Sequence, residues 1–206
     1  KKNRNSVLSA LQRGEVSGNF GLAIKEFESE FAKYIGCKYA STTSSGTSAL
    51  QVAVSSLKLK KGSEILLSSS ANIATALAIA HNNFIPIPID SDLSSWNIDL
   101  DKIESQINSK TKAIIIVHFL GNPVDIDKIK YLKRKYNLII IEDAAEAHGA
   151  KINNKMAGNL GDISCFSFYA NKVLTSGEGG MVCTNNKKYY ERVNLLKNLG
   201  FSKPRF

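Results

Sequence analysis

A small polar loop at residues 43–48, Thr-Ser-Ser-Gly-Thr-Ser, could bind a phosphate group. The loop opens a predicted helix, so backbone N–H groups, hydroxyls and the positive helix end would face one point. Gly46 would let the backbone approach an anion closely. The alternative is an ordinary helix N-cap, because Ser and Thr are favoured there for structural reasons alone. Taken by itself, the loop favours the N-cap.

Carboxylates follow a predicted buried strand in residues 142–149, Glu-Asp-Ala-Ala-Glu-Ala-His-Gly. Open α/β sheets bind ligands at the carboxyl ends of their strands, where Asp143 could pair with a cationic ring nitrogen. Alternatively, Asp143 and Glu146 have capping-box spacing, and His148 could be a hydrogen-bonded helix residue. A metal site built on Glu142 and these three side chains is disfavoured, because the spacing matches no usual ligand motif.

Lys172 is the only charged residue between Asp162 and Glu178, and it follows an apolar, aromatic segment that begins at Cys165. An ammonium in such surroundings loses its proton more readily than in water, which a Schiff-base nucleophile requires. The alternative is a lysine that buries its stem and keeps its ammonium in water. Because the chain has 27 Lys and Arg residues, this alternative is favoured for any single lysine.

Together, the three segments indicate one cofactor. A phosphate-binding loop, an acid at a strand end and an isolated lysine are the groups that pyridoxal 5'-phosphate (PLP) requires. The cofactor acts as an electron sink, while the protein supplies a Schiff-base lysine and an acidic partner for the ring nitrogen. The combination is much more specific than any one segment.

Other classes of ligand are disfavoured by motif and charge. The loop at Gly46 lacks the Gly-Lys-Ser/Thr ending of a Walker motif and the GxGxxG of a dinucleotide site, which weakens kinase and dehydrogenase interpretations. The net charge of +9 favours anionic partners in general. The basic residues are scattered and form no stripe interleaved with aromatic residues, so nucleic acid is not expected as a partner.

Apolar strand-like runs alternate with helix-like segments, which predicts an α/β domain with a mainly parallel central sheet. Helices are predicted at 47–59 and 74–82, from Asp99, around Ile126, Ile129 and Leu132, and around Tyr189, Val193 and Leu196 with Gly200 as C-terminal cap. Strands are predicted at 64–67, 84–89, 113–118, 138–142, 164–168 and 180–184. Pro86 and Pro88 indicate that the second of these strands is irregular or at an edge.

The cysteines and the apolar runs indicate a cytoplasmic protein without a membrane partner. Cys37, Cys165 and Cys183 form no CxxC pair and are odd in number, which favours a reducing compartment. Cys165 and Cys183 are predicted to be buried small hydrophobic residues. The longest aliphatic runs, 114–117 and 138–141, are too short to span a membrane, and the first residues lack the apolar stretch of a signal peptide.

At these residues the chain resembles the DegT/DnrJ/EryC1/StrS family of sugar aminotransferases over nearly its whole length. The matching stretches are Glu26-Phe27-Glu28, Ser45-Gly46-Thr47, Ala74-Thr75-Ala76, Thr111-Lys112-Ala113-Ile114, Glu142-Asp143-Ala144-Ala145, Gly161-Asp162-Ile163 and Gly177-Glu178-Gly179-Gly180. Residues 168–172 and Lys203-Pro204-Arg205-Phe206 are most similar to the perosamine-synthase branch, whose members aminate a GDP-linked 4-keto-6-deoxymannose.

The resemblance implies a fold-type I, PLP-dependent aminotransferase: an α/β large domain with a mainly parallel sheet and helices on both faces. It implies that residues 1–206 form an N-terminal segment and this large PLP-binding domain, with the family's C-terminal small domain absent from the chain. It also implies a homodimer with active sites at the subunit interface. A nucleotide-diphosphate keto sugar and glutamate are the expected substrates, and surface polysaccharide is the usual destination of the product.

The resemblance also assigns roles to individual residues. Lys172 would form the Schiff base, and Asp143 would pair with the pyridine nitrogen. Glu146 stands where many members have Gln near the phenolic oxygen, Asn72 stands where many have an aromatic side chain against the ring, and His148 is expected to line that face. The residues expected to bind the cofactor are Gly46, Thr47, Ser48, Asn72, Asp143, Glu146, His148, Ser167 and Lys172, with Gly46, Thr47, Ser48 and Ser167 on the phosphate.

Two alternative functions are less well supported. A nucleotide-sugar 3-dehydratase of the same family would use the same cofactor, but such enzymes carry His at the lysine position, so Lys172 argues against it. A non-catalytic PLP-fold protein, acting in regulation or assembly, is disfavoured because both Lys172 and Asp143 are intact.

Overall fold

The structure, a computed structural model, describes residues 2–15 and 21–201. The helices are α1 (Lys2–Gln12), α2 (Ala23–Ile35), α3 (Gly46–Ser56), α4 (Ile73–Ala80), α5 (Leu100–Gln106), α6 (Ile126–Tyr136) and α7 (Lys187–Lys197), with a short 3-10 helix at Phe119–Gly121. The strands are β1 (Tyr39–Thr43), β2 (Glu64–Ser68), β3 (Ile85–Ile89), β4 (Thr111–Val117), β5 (Ile139–Asp143), β6 (Lys151–Ile152), β7 (Lys155–Met156), β8 (Ile163–Ser167) and β9 (Gly180–Thr184).

Within these residues the main sheet has seven strands in the order β1-β9-β8-β5-β4-β2-β3, and β6 and β7 form a separate hairpin. The pairs β2–β3, β2–β4, β4–β5 and β5–β8 are parallel, whereas β9 runs antiparallel to both of its neighbours. The predicted mainly parallel sheet is therefore confirmed. β3 lies at its edge, as Pro86 and Pro88 indicated, because proline has no N–H to donate to a second neighbour.

Helices cover both faces of the sheet. On β2, Ile65 and Leu67 pack in a core with α3, α4 and α7, whereas Leu66 packs in a second core with α5 and α6. This alternation follows from the period of two along a strand. α2 packs over the end of the sheet at β1, β8 and β9, where its Phe31 contacts Phe166. The predicted layer architecture is confirmed.

The helix starts follow from side-chain capping. Ser45, Asn72, Asp99, Asp125 and Asn186 each accept a hydrogen bond from a backbone N–H in the first helical turn. Each bond satisfies one of the N–H groups that a helix start leaves free. The capped starts of α3 and α4 lie at the carboxyl side of the sheet.

Two helix ends differ from the prediction. α3 ends at Ser56 rather than near residue 59, since Lys58 adopts a left-handed backbone conformation with φ of 53°. α7 ends at Lys197 with Asn198 as its C-cap, so the assignment of Gly200 as the cap is displaced by two residues. Gly200 nevertheless closes this end, since its φ is +84° and its N–H donates to the Leu195 carbonyl at 2.8 Å.

Cys165 and Cys183 are buried, as predicted. Across the described ranges we find no helix with both the length and the apolar character needed to cross a membrane. Residues 203–206, which carry part of the resemblance to the perosamine-synthase branch, lie outside the described residues.

Candidate functional site

A cavity of about 600 Å³ opens at the carboxyl ends of β4, β5 and β8. Parallel strands bring these ends to one edge of the sheet, where Val117 pairs with Asp143 and Asp143 with Cys165. The expected site residues that line the cavity are Gly46, Thr47, Asn72, Asp143, Glu146, Ser167 and Lys172. Ser48 and His148 are not part of this lining.

The N-terminus of α3 forms one wall of the cavity. The Ser48 N–H donates to Ser45 Oγ at 3.1 Å, so the N-cap interpretation of this loop is confirmed. Gly46 also allows a close approach, because a Cβ there would lie 2.7 Å from Ser167 Cβ and 3.1 Å from Ser167 Oγ. The Ser48 hydroxyl contacts the hydroxyls of Ser44 and Ser45, and Ser48 is not among the residues that line the cavity.

Asp143 is buried at the end of β5. Its Oδ2 accepts a hydrogen bond from Thr75 Oγ1 at 2.7 Å, and its Oδ1 accepts one from the Ala145 N–H at 3.2 Å. Burial raises the pKa of the Asp143 carboxyl above its ordinary value, although these two hydrogen bonds oppose the rise. A cation in the cavity would favour the charged carboxylate, so the geometry suits a protonated ring nitrogen.

Thr75 is a site residue that the sequence interpretation missed. It is fully buried on α4 and donates to Asp143, whereas in the sequence it stands only within a stretch that matches the family. The signal was a hydroxyl within an otherwise apolar helix, Ile-Ala-Thr-Ala-Leu-Ala-Ile-Ala. A buried hydroxyl requires a hydrogen-bond partner, and a strand-end carboxylate supplies one here.

The capping-box interpretation of Asp143 and Glu146 is wrong, because residues 144–149 form turns rather than a helix. Glu146 instead extends toward the cavity, where its Oε1 lies 3.2 Å from Lys172 Nζ. Its Oε2 accepts the Leu120 N–H at 3.0 Å. Lys172 is isolated in the sequence but paired in space, and its side chain is only 18% exposed. Its ammonium therefore lies in the cavity rather than in bulk water.

Asn72 lines the cavity and has a structural role as well. Its Oδ1 accepts the Ala74 N–H at 3.0 Å, so it caps α4. An aromatic residue at this position could not make that bond.

The expectation that His148 lines the cofactor face is not supported by its position. The turns at residues 144–149 place the ring beside Phe31, Phe166 and Phe168, with ring centroids 6.4, 5.3 and 5.6 Å away. His148 is not a helix residue, and both ring nitrogens are buried without a hydrogen-bond partner among the described residues. Burial and the nearby charge of Lys172 lower the pKa of His148.

A second buried carboxylate, Glu142, supports the site from beneath. Its Oε1 accepts the N–H groups of Leu160 and Gly161 at 2.7 and 2.6 Å. Its Oε2 accepts the Gly158 N–H at 2.7 Å and lies 3.0 Å from His118 Nε2. All four neighbours can donate only if His118 carries its proton on Nε2. That tautomer is required, because His118 Nδ1 accepts the Val124 N–H at 3.1 Å.

One family model, described as the DegT/DnrJ/EryC1/StrS aminotransferase family, matches residues 1–206. The chain belongs to this family. It is 43% identical over 185 residues to a GDP-perosamine synthase of Escherichia coli O157:H7, covering 90% of this chain and 50% of that protein. It is 39% identical over 200 residues to a dTDP-3-amino-3,6-dideoxy-alpha-D-galactopyranose transaminase of Aneurinibacillus thermoaerophilus, covering 96% of this chain and 55% of that protein. The chain thus spans about half the length of these curated relatives.

Solved structures agree with this assignment. Helicobacter pylori PseC, an aminotransferase involved in the biosynthesis of pseudoaminic acid, matches with a TM-score of 0.93 and 30% identity, covering 100% of this chain and 55% of that one. E. coli GDP-4-keto-6-deoxy-D-mannose-3-dehydratase with bound hydrated PLP matches with a TM-score of 0.88 and 31% identity, covering 94% of this chain and 50% of that one. The fold is that of fold-type I PLP aminotransferases.

PLP is the cofactor that the family indicates. The described residues fit this cofactor. Gly46 leaves space at a capped helix start, Asp143 is a buried carboxylate without a cationic partner among them, and the Lys172 amine lies in the same cavity. Phosphate, ring nitrogen and carbonyl would each find a suitable group.

The Glu142→Gln variant should lower the free energy of unfolding by about 2–4 kcal/mol. The NH2 group of the glutamine would face N–H donors that bond to a carboxylate oxygen in the wild type. Urea denaturation at pH 7 measures the change. The control is Glu104→Gln, since Glu104 makes a half-exposed pair with Lys135 and should contribute little. Equal effects from the two substitutions would contradict the proposed dependence on Glu142.

The Asp143→Asn variant should stabilise the cofactor-free protein at neutral pH. Since burial raises the folded-state pKa of Asp143, the unfolding free energy of the wild type falls as pH rises above about 4, where the unfolded carboxyl ionises. The substituted amide cannot ionise, so the variant's advantage should grow between pH 4 and 8. Urea denaturation across that range tests the sign, with the exposed Asp127→Asn as control. A constant difference between variant and wild type would refute it.

Proposed function

We propose that the complete protein is a PLP-dependent aminotransferase that transfers an amino group from glutamate to a nucleotide-linked 4-keto-6-deoxy sugar. The observation that carries this proposal is the meeting of Lys172, Asp143 and the start of α3 in one cavity. None of these groups is specific alone, but together they match the carbonyl, the ring nitrogen and the phosphate of one cofactor.

Each group of cavity residues binds a different part of the cofactor. Lys172 provides the amine that holds the cofactor as a Schiff base. Asp143, oriented by Thr75, pairs with the ring nitrogen. Gly46 and Thr47 offer backbone N–H groups to the phosphate at the positive end of α3.

The other residues expected to bind the cofactor occupy different positions around the cavity. Ser167 lies against Gly46 and adds a hydroxyl to the phosphate subsite. Ser48 stabilises the loop through its hydrogen bond to Ser45. Asn72 and Glu146 line the cavity walls, whereas His148 lies outside them and has no assigned contact with the cofactor.

Proton transfer is the chemical task of Lys172. When bound, PLP supplies an electron sink that stabilises charge left on a substrate carbon. Lys172 Nζ would be the group positioned to move a proton to or from that carbon. Asp143 keeps a proton on the ring nitrogen, because its buried carboxylate gains a cationic partner there.

The preference for a GDP-linked 4-keto-6-deoxymannose is supported by the identity to GDP-perosamine synthases. A relative named for a dTDP-linked sugar matches at 39% identity, so dTDP-linked keto sugars are the competing substrates to test. The net charge of +9 suits a nucleotide diphosphate.

We also propose that the complete enzyme is a cytoplasmic homodimer with shared active sites. Leu120 and Val173, on segments that contribute to the cavity, are 77% and 82% exposed, and a second subunit would cover such side chains. Residues 1–206 would then correspond to the N-terminal segment and large domain, with the small domain outside them.

Borohydride reduction of the full-length protein with PLP should leave the cofactor mass on the peptide that contains Lys172. Lys172→Ala should lose this adduct and all transamination, because no other lysine lies in the described cavity lining. Peptide mass mapping measures the adduct, and the exposed Lys188→Ala is the matched control. The cofactor on a different lysine would overturn the assignment.

Incubation with glutamate and GDP-4-keto-6-deoxymannose should yield an amino sugar, detected by mass spectrometry. UDP- and dTDP-linked keto sugars should react at least about tenfold more slowly in kcat/KM, since each lost specific contact is worth over about 1 kcal/mol. Amination of only a non-GDP sugar would contradict the assignment to the perosamine-synthase branch but would agree with the family. Loss of the sugar 3-hydroxyl without nitrogen incorporation would identify the dehydratase instead.

A further inference from the structure

Glu146 is fixed at both carboxylate oxygens. Its Oε1 lies 3.2 Å from Lys172 Nζ, and its Oε2 accepts the Leu120 N–H at 3.0 Å. The side chains of Lys172 and Glu146 are 18% and 39% exposed, so the pair is partly screened by water. Glu146 thus connects the reactive amine to the turn that follows β4.

The turn itself has an unusual backbone that directs this N–H. Leu120 has φ of 49° although it is not glycine, and its side chain is 77% exposed. A left-handed conformation is unfavourable for a residue with a Cβ. Gly121 follows with φ of +83°, and a Cβ there would lie 3.1 Å from the Glu146 carbonyl oxygen. The turn therefore packs against residue 146 and aims a donor at its side chain.

Other titratable groups face Lys172 at longer range. Burial raises the pKa of the Asp143 carboxyl and the nearby Lys172 charge opposes this rise, whereas burial and the same charge both lower the pKa of His148. Glu178, Tyr169 and His118 also line the cavity. In the part of the chain that the structure describes, Glu146 is the carboxylate in ion-pair contact with Lys172.

We propose that Glu146 is a positioning residue that holds the Lys172 amine in an ion pair, which a ligand that fills the whole site must break before the amine can react. This rests on the proposed role of Lys172 as the reactive amine. The Lys172 nitrogen cannot form a bond to a carbonyl carbon while its contact with the Glu146 carboxylate holds it in place, so breaking the pair adds to the barrier. A simple aldehyde makes no other contact in the cavity, so its binding free energy is too small to break the pair of Lys172 and Glu146.

The proton balance follows from this arrangement. Imine formation joins the Lys172 nitrogen to a carbonyl carbon and breaks the C–O double bond. The oxygen leaves as water with the two hydrogens of the neutral amine. When the amine starts as an ammonium, its third proton passes to solvent after the contact with Glu146 Oε1 has broken. No oxidant or other co-reactant is required for this step.

The test uses full-length protein from which the cofactor has been removed. Formaldehyde with cyanoborohydride modifies amines through the same imine chemistry, and peptide mass spectrometry follows the rate at Lys172 relative to Lys188 as an internal reference. In Glu146→Gln, Lys172 should react roughly three- to fivefold faster at pH 7 than in the wild type.

Glu178→Gln is the matched control, because Glu178 lines the same cavity and forms no ion pair with Lys172 within the described ranges. It should leave the rate unchanged. Glu146→Asp, which keeps the charge but shortens the reach, should accelerate labelling as Gln does, and it replaces the Gln variant if that one does not fold.

Equal rates in Glu146→Gln and the wild type would overturn the proposal. Equal acceleration by Glu178→Gln would also overturn it, since a general field rather than the contact would then be responsible. Failure of the proposed function looks different, because the borohydride adduct would be missing from Lys172 in the wild type whatever the labelling ratio.

Discussion

A buried carboxylate must be surrounded by donors, and Glu142 meets this requirement in a way that organises the floor of the site. Its four hydrogen bonds join the end of β5 to His118 after β4 and to the backbone of residues 158–161. Without these partners, the charge would cost several kcal/mol of desolvation. Because the partners come from separate segments, satisfying one side chain fixes the relative positions of all of them.

Asp143, the residue after Glu142, has fewer hydrogen bonds than Glu142. Successive side chains of a strand point to opposite faces, so Asp143 points to the α3 and α4 side. Asp143 has only two hydrogen bonds within the described residues, and burial raises the pKa of its carboxyl. One carboxylate is thus satisfied by the protein, while its neighbour is left to be satisfied by a cation in the cavity. Such incomplete satisfaction is characteristic of binding sites rather than of structural cores.

Close packing between separate segments places the other groups of the site near Asp143. Gly46 allows the start of α3 to contact Ser167 of β8, which a Cβ would prevent. The turn after β8 returns Lys172 to the cavity, where Glu146 and the Leu120 turn hold its amine. The site is therefore assembled from loops after parallel strands, on a sheet that fixes their spacing.

The sequence by itself determined the α/β class, the edge position of the proline-containing strand and the three segments that carry the chemistry, because strand runs, proline and small polar loops act locally. It also placed Asp143 at the end of a buried strand. It could not show that Asp143 and Glu146 fail to form a capping box, that Lys172 is paired with Glu146, or that His148 turns toward Phe31, Phe166 and Phe168. These facts depend on which strand ends are neighbours. Only the tertiary structure decides that, since contacts between residues far apart in the chain, such as Glu146 with Lys172 and with Leu120, leave no periodic signal.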